Sequence, residues 1–211
     1  MKKILNIIFS VCFSIIIIIG IIKFTVGFKE LYYYDIDKLD ISRLSNLSEE
    51  EIRLNYDYLI EYNLRKNEVD FEMPTIKSSP QGKIHFKEVR DIFQNLNKLF
   101  NLCFIISIIG LFVNIKNKEI NFLNMISKAL ITIPIFLTLP ILIDFEDSFV
   151  IFHKLMFSND YWIFDPKLDP VITMLPEQFF FHAGLMILVL ILISSMLIYI
   201  IYRFLRKKRE Q

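Results

Sequence analysis

The stretch that decides the class of fold is residues 179–201, FFFHAGLMILVLILISSMLIYII, which contains no Asp, Glu, Lys or Arg. A helix rises about 1.5 Å per residue, so roughly 20 apolar residues cross the roughly 30 Å hydrocarbon core of a bilayer. A basic segment, residues 203–209 with the sequence RFLRKKR, follows directly. We therefore expect a membrane-spanning helix that ends in a basic anchor.

Three further apolar stretches have the length of a membrane span, which predicts four spans in the chain. They are residues 4–22, 99–115 and 129–145. A content of 54% hydrophobic side chains agrees with this and excludes a disordered chain. A cleaved signal peptide is the alternative for residues 4–22. That stretch is longer than the usual apolar region of about 7 to 15 residues, so we expect it to stay attached.

The basic residues define the orientation, because Lys and Arg in short flanks resist translocation. One side of the predicted membrane carries ten basic residues and only two acidic ones, Glu119 and Glu210. The basic residues are Lys2, Lys3, Lys116, Lys118, Lys128, Arg203, Arg206, Lys207, Lys208 and Arg209. Residues 28–98 and 146–178 instead carry net charges of −3 and −4. We expect both termini in the cytoplasm and these two segments outside. The overall charge of +1 gives no field that would attract nucleic acid.

The predicted fold is a mainly α membrane protein, a bundle of four transmembrane helices with an extracytoplasmic cap of amphipathic helices. The predicted segments are transmembrane helix 1 (1–27), the cap (28–98), helix 2 (99–115), a cytoplasmic loop (116–128), helix 3 (129–145), an extracytoplasmic interfacial loop (146–178), helix 4 (179–202) and a cytoplasmic basic tail (203–211). In the cap, Ser48 and Glu51 fit a capping box that starts a helix to about Leu64. Short β strands are possible over residues 69–87, and Asp169 can cap a short helix over residues 171–175.

Three histidines, His85, His153 and His182, fall in the outer part of the predicted topology. An imidazole with an ordinary pKa of about 6.5 both takes and gives a proton near neutral pH. For His182 we expect only a polar contact at the mouth of a span. A zinc site on His85 and His153 is an alternative, and it would need Asp147, Asp160 or Glu88 as a further ligand. Both cysteines lie inside apolar runs, which argues against a disulfide framework.

Four segments carry a resemblance to a known family. They are LSEEEIRLNY (47–56), GKIHFKEVR (82–90), FHKLMFSNDYWIFDP (152–166) and LPE (175–177). Together they resemble the lipoprotein intramolecular transacylase family of Gram-positive cell membranes, over nearly the whole chain. The stretch from Phe152-His153 to Asp165-Pro166 is the most specific part.

The resemblance implies acyl transfer within a diacylglyceryl-modified lipoprotein in the bacterial cytoplasmic membrane. An ester-linked chain would move to the α-amino group of the modified cysteine and give an N-acyl S-monoacylglyceryl (lyso-form) product. It implies no cofactor and no metal, and it makes lipoprotein and membrane lipid the partners. His85 would be the general base and His153 its partner, with the reverse assignment open. Supporting or substrate-orienting residues would be Glu88, Arg90, Asp160, Trp162 and Asp165.

Two other functions stay open from the sequence. One is a non-catalytic membrane module whose outer cap binds a peptide or lipid, and the other is a metal-dependent hydrolase. Shared catalysis requires the two imidazoles to lie within about 10 Å of each other. A straight helix from residue 86 into residue 99 would place His85 about 20 Å above the hydrocarbon. We therefore predict that this helix breaks or tilts near Asn95 to Asn97.

Overall fold

The computed structural model describes residues 2–65 and 69–211, with side chains given for 4–65, 69–135 and 143–211. This part is mostly helical and contains no strand. Its helices are α1 (Lys2–Gly27), α2 (Lys29–Lys38), α3 (Ile41–Ser45), α4 (Glu49–Leu64), α5 (Pro80–Lys116), α6 (Asn121–Ile143), α7 (Phe145–Met156), α8 (Val171–Met174) and α9 (Glu177–Glu210).

Three helices in the described part, α1, α5 and α9, are long and apolar enough to cross a membrane. Helix α6, Asn121–Ile143, contains residues 129–143 of the third predicted span. Its side chains are described only as far as Ile135, and Asn121–Ile135 is an apolar helix of shorter length. The rest of that predicted span, residues 136–142, lies outside the described side chains. The count of four spans therefore stays a prediction.

The chain forms two compact units. The first comprises Met1–Thr25, Leu96–Leu142 and Leu185–Gln211, and the second comprises Val26–Asn95 and Ile143–Gly184. All three histidines belong to the second unit.

Small residues bring the helices of the first unit close together, as is common between membrane helices. The hydroxyl of Ser10 donates to the carbonyl of Phe122 at 3.2 Å, and that of Ser195 donates to the carbonyl of Ser127 at 2.7 Å. At Gly110, an added Cβ would lie 2.4 Å from Cγ of Phe9. Side chains of α6 and α9 form the buried core there: Phe122, Ile126, Leu130 and Ile191.

Aromatic side chains form the centre of the second unit. The ring of Tyr32 stacks on that of Tyr56 with centroids 3.7 Å apart, and Phe179 meets it edge-on at 5.0 Å. The hydroxyl of Tyr32 donates to the carbonyl of Met174 at 2.6 Å. The three rings are fully or almost fully buried, and each comes from a different helix. They therefore join α2, α4 and the start of α9 into one core.

Helix α4 begins with the predicted capping box. The hydroxyl of Ser48 accepts from the amide of Glu51 at 3.3 Å, and the Glu51 carboxylate accepts from the amide of Ser48 at 3.0 Å. The helix ends at Leu64, as the apolar spacing predicted.

The possible short β strands over residues 69–87 are absent from the described residues of that region. Side chains of α4 instead accept hydrogen bonds from its backbone amides. Residues 69–79 are irregular. The amide of Glu72 donates to the hydroxyl of Tyr58 at 2.7 Å, and the amide of Thr75 donates to Oδ1 of Asn55 at 3.2 Å. With these amides occupied, the segment has no need of a strand partner.

Helix α5 runs from Pro80 to Lys116 without interruption, so the predicted break at Asn95 to Asn97 is wrong, and the alternative of a tilt there stays a prediction. Residues 83–109 contain neither proline nor glycine. Asparagine in a helix costs only about 0.7 kcal/mol relative to alanine, which the packing of a long helix easily overrides.

The start of α5 is fixed from a distant part of the chain. The carboxylate of Asp169 accepts from both the amide of Ser79 at 2.7 Å and its hydroxyl at 2.6 Å. The Ser79 hydroxyl in turn accepts from the amide of Gly82 at 3.0 Å. Asp169 therefore does not cap α8, whose N-cap is Pro170. The predicted cap is wrong because α5 competes for the same carboxylate.

Candidate active site

His85 lies in the second turn of α5, where the Asp169 contact fixes the helix start. Its side chain is buried, with 5% of the residue exposed. The ring of Phe157 meets it edge-on with centroids 4.7 Å apart, and that of Phe164 does so at 5.4 Å. Nδ1 of His85 is buried and has no hydrogen-bond partner among the described residues. The surroundings of the His85 imidazole are therefore mainly aromatic rings.

His153 lies in the third turn of α7, a helix capped by the carboxylate of Asp144, which accepts from the amide of Asp147 at 3.0 Å. Nδ1 of His153 lies 2.7 Å from the carbonyl oxygen of Phe149. Because a carbonyl only accepts, Nδ1 carries the proton and donates. The neutral ring then has its lone pair on Nε2, and that nitrogen is the one able to take a proton.

The two imidazoles come together from separate segments of the second unit. Their ring centroids are 6.2 Å apart, within the range that shared catalysis requires. The ring of Phe157 contacts both, at 4.7 Å from His85 and 5.7 Å from His153. One proton donor and one proton acceptor are thus close enough to act on the same small group.

Burial makes both histidines neutral at physiological pH. Burial, with a smaller contribution from the neighbouring His153, lowers the pKa of His85 to about 4. Burial also lowers the pKa of His153, while the hydrogen bond to Phe149 opposes that shift. Both groups lie outside the apolar stretch that begins at Leu99. A neutral pair offers N–H donors and lone pairs without carrying charge into the site.

Two of the predicted supporting residues adjoin the pair. The ring of Trp162 lies 4.8 Å from that of His153, and its Nε1 is buried with no partner among the described residues. Glu88 follows His85 by one helical turn, and its Oε1 accepts from Nδ2 of Asn159 at 2.8 Å. The structure therefore brings Trp162 and Glu88 to the site.

The other three predicted residues make the following contacts in the structure. Arg90 is buried with its guanidinium 5.6 Å from the ring centre of Tyr62. Asp165 is exposed and accepts from the amide of Lys167 at 2.8 Å, which forms a turn. Asp160 is exposed, and its backbone carbonyl accepts from the amide of Ile163 at 3.1 Å. None of these contacts involves the histidine pair.

His182 makes the polar contact expected of it. Its Nδ1 lies 2.9 Å from both carboxylate oxygens of Asp35, whose side chain is fully buried. The pair joins α2 to the start of α9 inside the second unit. A structural role accounts for these contacts.

Sequence reasoning missed three residues of the site. The backbone carbonyl of Phe149 accepts a hydrogen bond from Nδ1 of His153, the ring of Phe157 contacts both imidazoles, and Asn159 donates a hydrogen bond to Glu88. Phe149 precedes His153 by four residues, the spacing at which a helical side chain reaches a backbone carbonyl, so this contact had a readable signal. The roles of Phe157 and Asn159 depend on tertiary contacts, which one sequence does not encode at fixed spacing.

The described residues include no cluster of three or more His, Cys, Asp or Glu able to hold a metal ion. Of the ligands that the zinc alternative required, Asp147 and Asp160 are exposed and Glu88 is bonded to Asn159.

Fold and site together define a helical membrane protein in which a buried histidine and a half-buried histidine lie side by side. Residues 7–180 match the family profile of "Lipoprotein intramolecular transacylase Lit", and the chain belongs to this family. It is therefore an acyltransferase that acts on lipoproteins. No curated protein matches the sequence.

Solved structures agree with the family assignment. The membrane integral lipoprotein intramolecular transacylase Lit from Bacillus cereus is 41% identical, with a TM-score of 0.95 over 100% of this chain and 98% of that chain. The same relative with an H85R mutation or an H85A mutation matches at 41% identity and a TM-score of 0.90, over 100% of this chain and 94% or 96% of those chains.

Proposed function

We propose that His85 and His153 together catalyse transfer of an ester-linked acyl chain of the diacylglyceryl-cysteine to its own α-amino group. The observation that carries the proposal is the 6.2 Å distance between the ring centroids of the buried His85 and the half-buried His153, which come from separate segments. The reaction needs a base for the amine, a donor for the tetrahedral oxyanion and a proton for the departing glycerol oxygen. Two histidines supply all three.

His153 is the general base in this proposal, the reverse of the first assignment made from the sequence. The hydrogen bond from its Nδ1 to the Phe149 carbonyl leaves the lone pair on Nε2. The same bond stabilises the imidazolium that forms when Nε2 takes a proton. His153 therefore resembles an oriented base, with a backbone carbonyl as the orienting group.

His85 is the donor to the oxyanion. Its depressed pKa, about 4, keeps the ring neutral and makes it a weak base. A neutral imidazole still has one N–H to donate, and donation to a developing oxyanion is strong in a water-poor aromatic setting. This role requires no change in the protonation of His85 during the reaction.

The proton and bond changes then balance on one substrate. The neutral amine nitrogen bonds to the ester carbon, the carbonyl oxygen takes up the electron pair, and Nε2 of His153 takes a proton from nitrogen. When the carbonyl re-forms, the bond to glycerol oxygen breaks and His153 returns the proton to that oxygen. Because amine and ester belong to one molecule, good orientation contributes about 7 to 11 kcal/mol of the barrier reduction.

We propose the topology given by the charges, with four spans, both termini in the cytoplasm and residues 28–98 and 146–178 outside. The outer face of α7 supports contact with lipid. Ile151, Phe152 and Leu155 are 55%, 53% and 80% exposed on the helix that carries His153. An apolar helix face of this kind lies stably at the membrane interface, where acyl chains and glycerol esters meet.

The test is conversion of a diacylated model lipoprotein in membranes, followed by mass spectrometry. His85→Ala and His153→Ala should each lower conversion by about two orders of magnitude or more, the contribution typical of acid–base groups. Membrane levels of both proteins should stay normal. His182→Gln is the matched control, because it removes the third imidazole and keeps a donor for Asp35. Undiminished conversion in either alanine variant would overturn the shared role.

A further inference from the structure

One buried carboxylate oxygen beside the histidine pair accepts no hydrogen bond from the described residues. It is Oε2 of Glu88, on the same helix as His85 and three residues later. Side chains at this spacing are neighbours on a helix surface. Burying an acceptor without a partner is costly, so an atom left in this state within an enzyme site indicates a ligand.

The carboxylate is held in place by its other oxygen. Oε1 of Glu88 accepts from Nδ2 of Asn159 at 2.8 Å, and Oδ1 of Asn159 accepts from the amide of Tyr161 at 3.0 Å. Both ends of the Asn159 amide are therefore occupied, which fixes its orientation. Asn159 also lies between Phe157 and Trp162, whose rings contact the two histidines. Glu88 thus joins the two segments that carry the site.

A protonated amine is the kind of group that suits this carboxylate oxygen. A buried carboxylate is stabilised by a positively charged N–H donor. The two imidazoles are neutral and supply no positive charge to it. The substrate brings an α-amino group with an ordinary pKa of about 8, which is mostly protonated at pH 7.

We propose that Oε2 of Glu88 receives the α-amino group of the modified cysteine and positions it beside the histidine pair. This inference rests on the proposed function and makes Glu88 a substrate-binding residue. A carboxylate accepts an N–H bond from an ammonium and from a neutral amine, so the nitrogen stays in place when the ammonium loses one proton to bulk water before the attack. After acylation the nitrogen is an uncharged amide, and Glu88 binds the product more weakly than the substrate.

Binding of two synthetic ligands tests this proposal without any turnover. Both are diacylglyceryl-cysteine peptides in which ether linkages replace the esters, and one of them is also N-acetylated. In the full-length protein in nanodiscs, Glu88→Gln should weaken binding of the free-amine ligand about tenfold or more, because a charge-assisted bond is lost. Binding of the N-acetylated ligand should change less than about twofold. The substituted side chain keeps an oxygen for Asn159, so we expect unchanged thermal unfolding.

Asp91→Asn is the matched control, since Asp91 is exposed on the same helix and loses the same charge. It should leave both affinities unchanged. The preference of the unsubstituted protein for the amine should also decline as the pH rises through about 8. Equal affinities in Glu88→Gln and the unsubstituted protein would overturn the proposal, and so would equal weakening of both ligands. Because these ligands cannot react, failure here is distinct from failure of the histidine variants to lose conversion.

Discussion

At the scale of single residues, burial of His85 predicts an unusual titration. The desolvated imidazole should stay neutral until the pH approaches its folded pKa of about 4, whereas an unfolded chain takes up the proton near 6.5. The stability that His85 contributes is therefore complete above about pH 6.5 and declines as the pH falls toward 4. Titration of ¹³C-labelled histidine by NMR in nanodiscs checks this. A midpoint at or above 6.5 for His85 would contradict the described burial.

The buried pair of Asp35 and His182 predicts a stability effect away from the histidine pair. Asp35→Ala removes the carboxylate that His182 contacts through Nδ1 at 2.9 Å. Loss of a hydrogen bond to a buried charged group should lower the free energy of unfolding by about 1.5 to 3 kcal/mol. Thermal unfolding in detergent measures it. Asp37→Ala, exposed on the same helix, should change stability by less than about 0.5 kcal/mol, and equal effects of the two changes would refute the structural role.

At the scale of elements, the start of α5 depends on a glycine. A Cβ at position 82 would lie 2.3 Å from Oδ1 of Asp169, which is buried and bonded to Ser79. Gly82→Ala should therefore shift the start of the helix, displace His85 and destabilise the protein by about 1 to 3 kcal/mol. Conversion of lipoprotein and thermal unfolding should both decline. Gly184→Ala is the control, since an added Cβ there meets nothing within 4 Å, and a full-activity Gly82→Ala would show that the contact is unimportant.

Local signals predicted the elements that depend on local contacts. The Ser48 capping box and the end of α4 follow from spacing within one helix. Two expectations failed because distant partners decide the outcome. The carboxylate of Asp169 accepts hydrogen bonds from Ser79, ninety residues away. Side chains of α4 accept hydrogen bonds from backbone amides within residues 69–79. The histidine pair was identified through residue type and resemblance, whereas its aromatic neighbours Phe157 and Phe164 required the fold.

At the scale of the whole molecule, the charges predict a topology that labelling can test. Ser158→Cys, in a protein with Cys12 and Cys103 replaced by serine, should react with a membrane-impermeant maleimide in intact cells, because residues 146–178 are expected outside. Gln211→Cys in the same background should react only after the cells are permeabilised. Labelling at position 211 in intact cells would show that the orientation is the reverse of the predicted one. The histidine segments would then lie on the wrong side of the membrane for this substrate.

Two imidazoles that act as one catalytic unit are tested most directly by a double-mutant cycle. Conversion rates are measured for the unsubstituted protein, His85→Ala, His153→Ala and the double variant in the same membranes. Residues that act as a unit are strongly non-additive. We predict that the double variant is about as slow as the slower single variant. Losses that multiply in the double variant, as for two independent residues, would contradict the account.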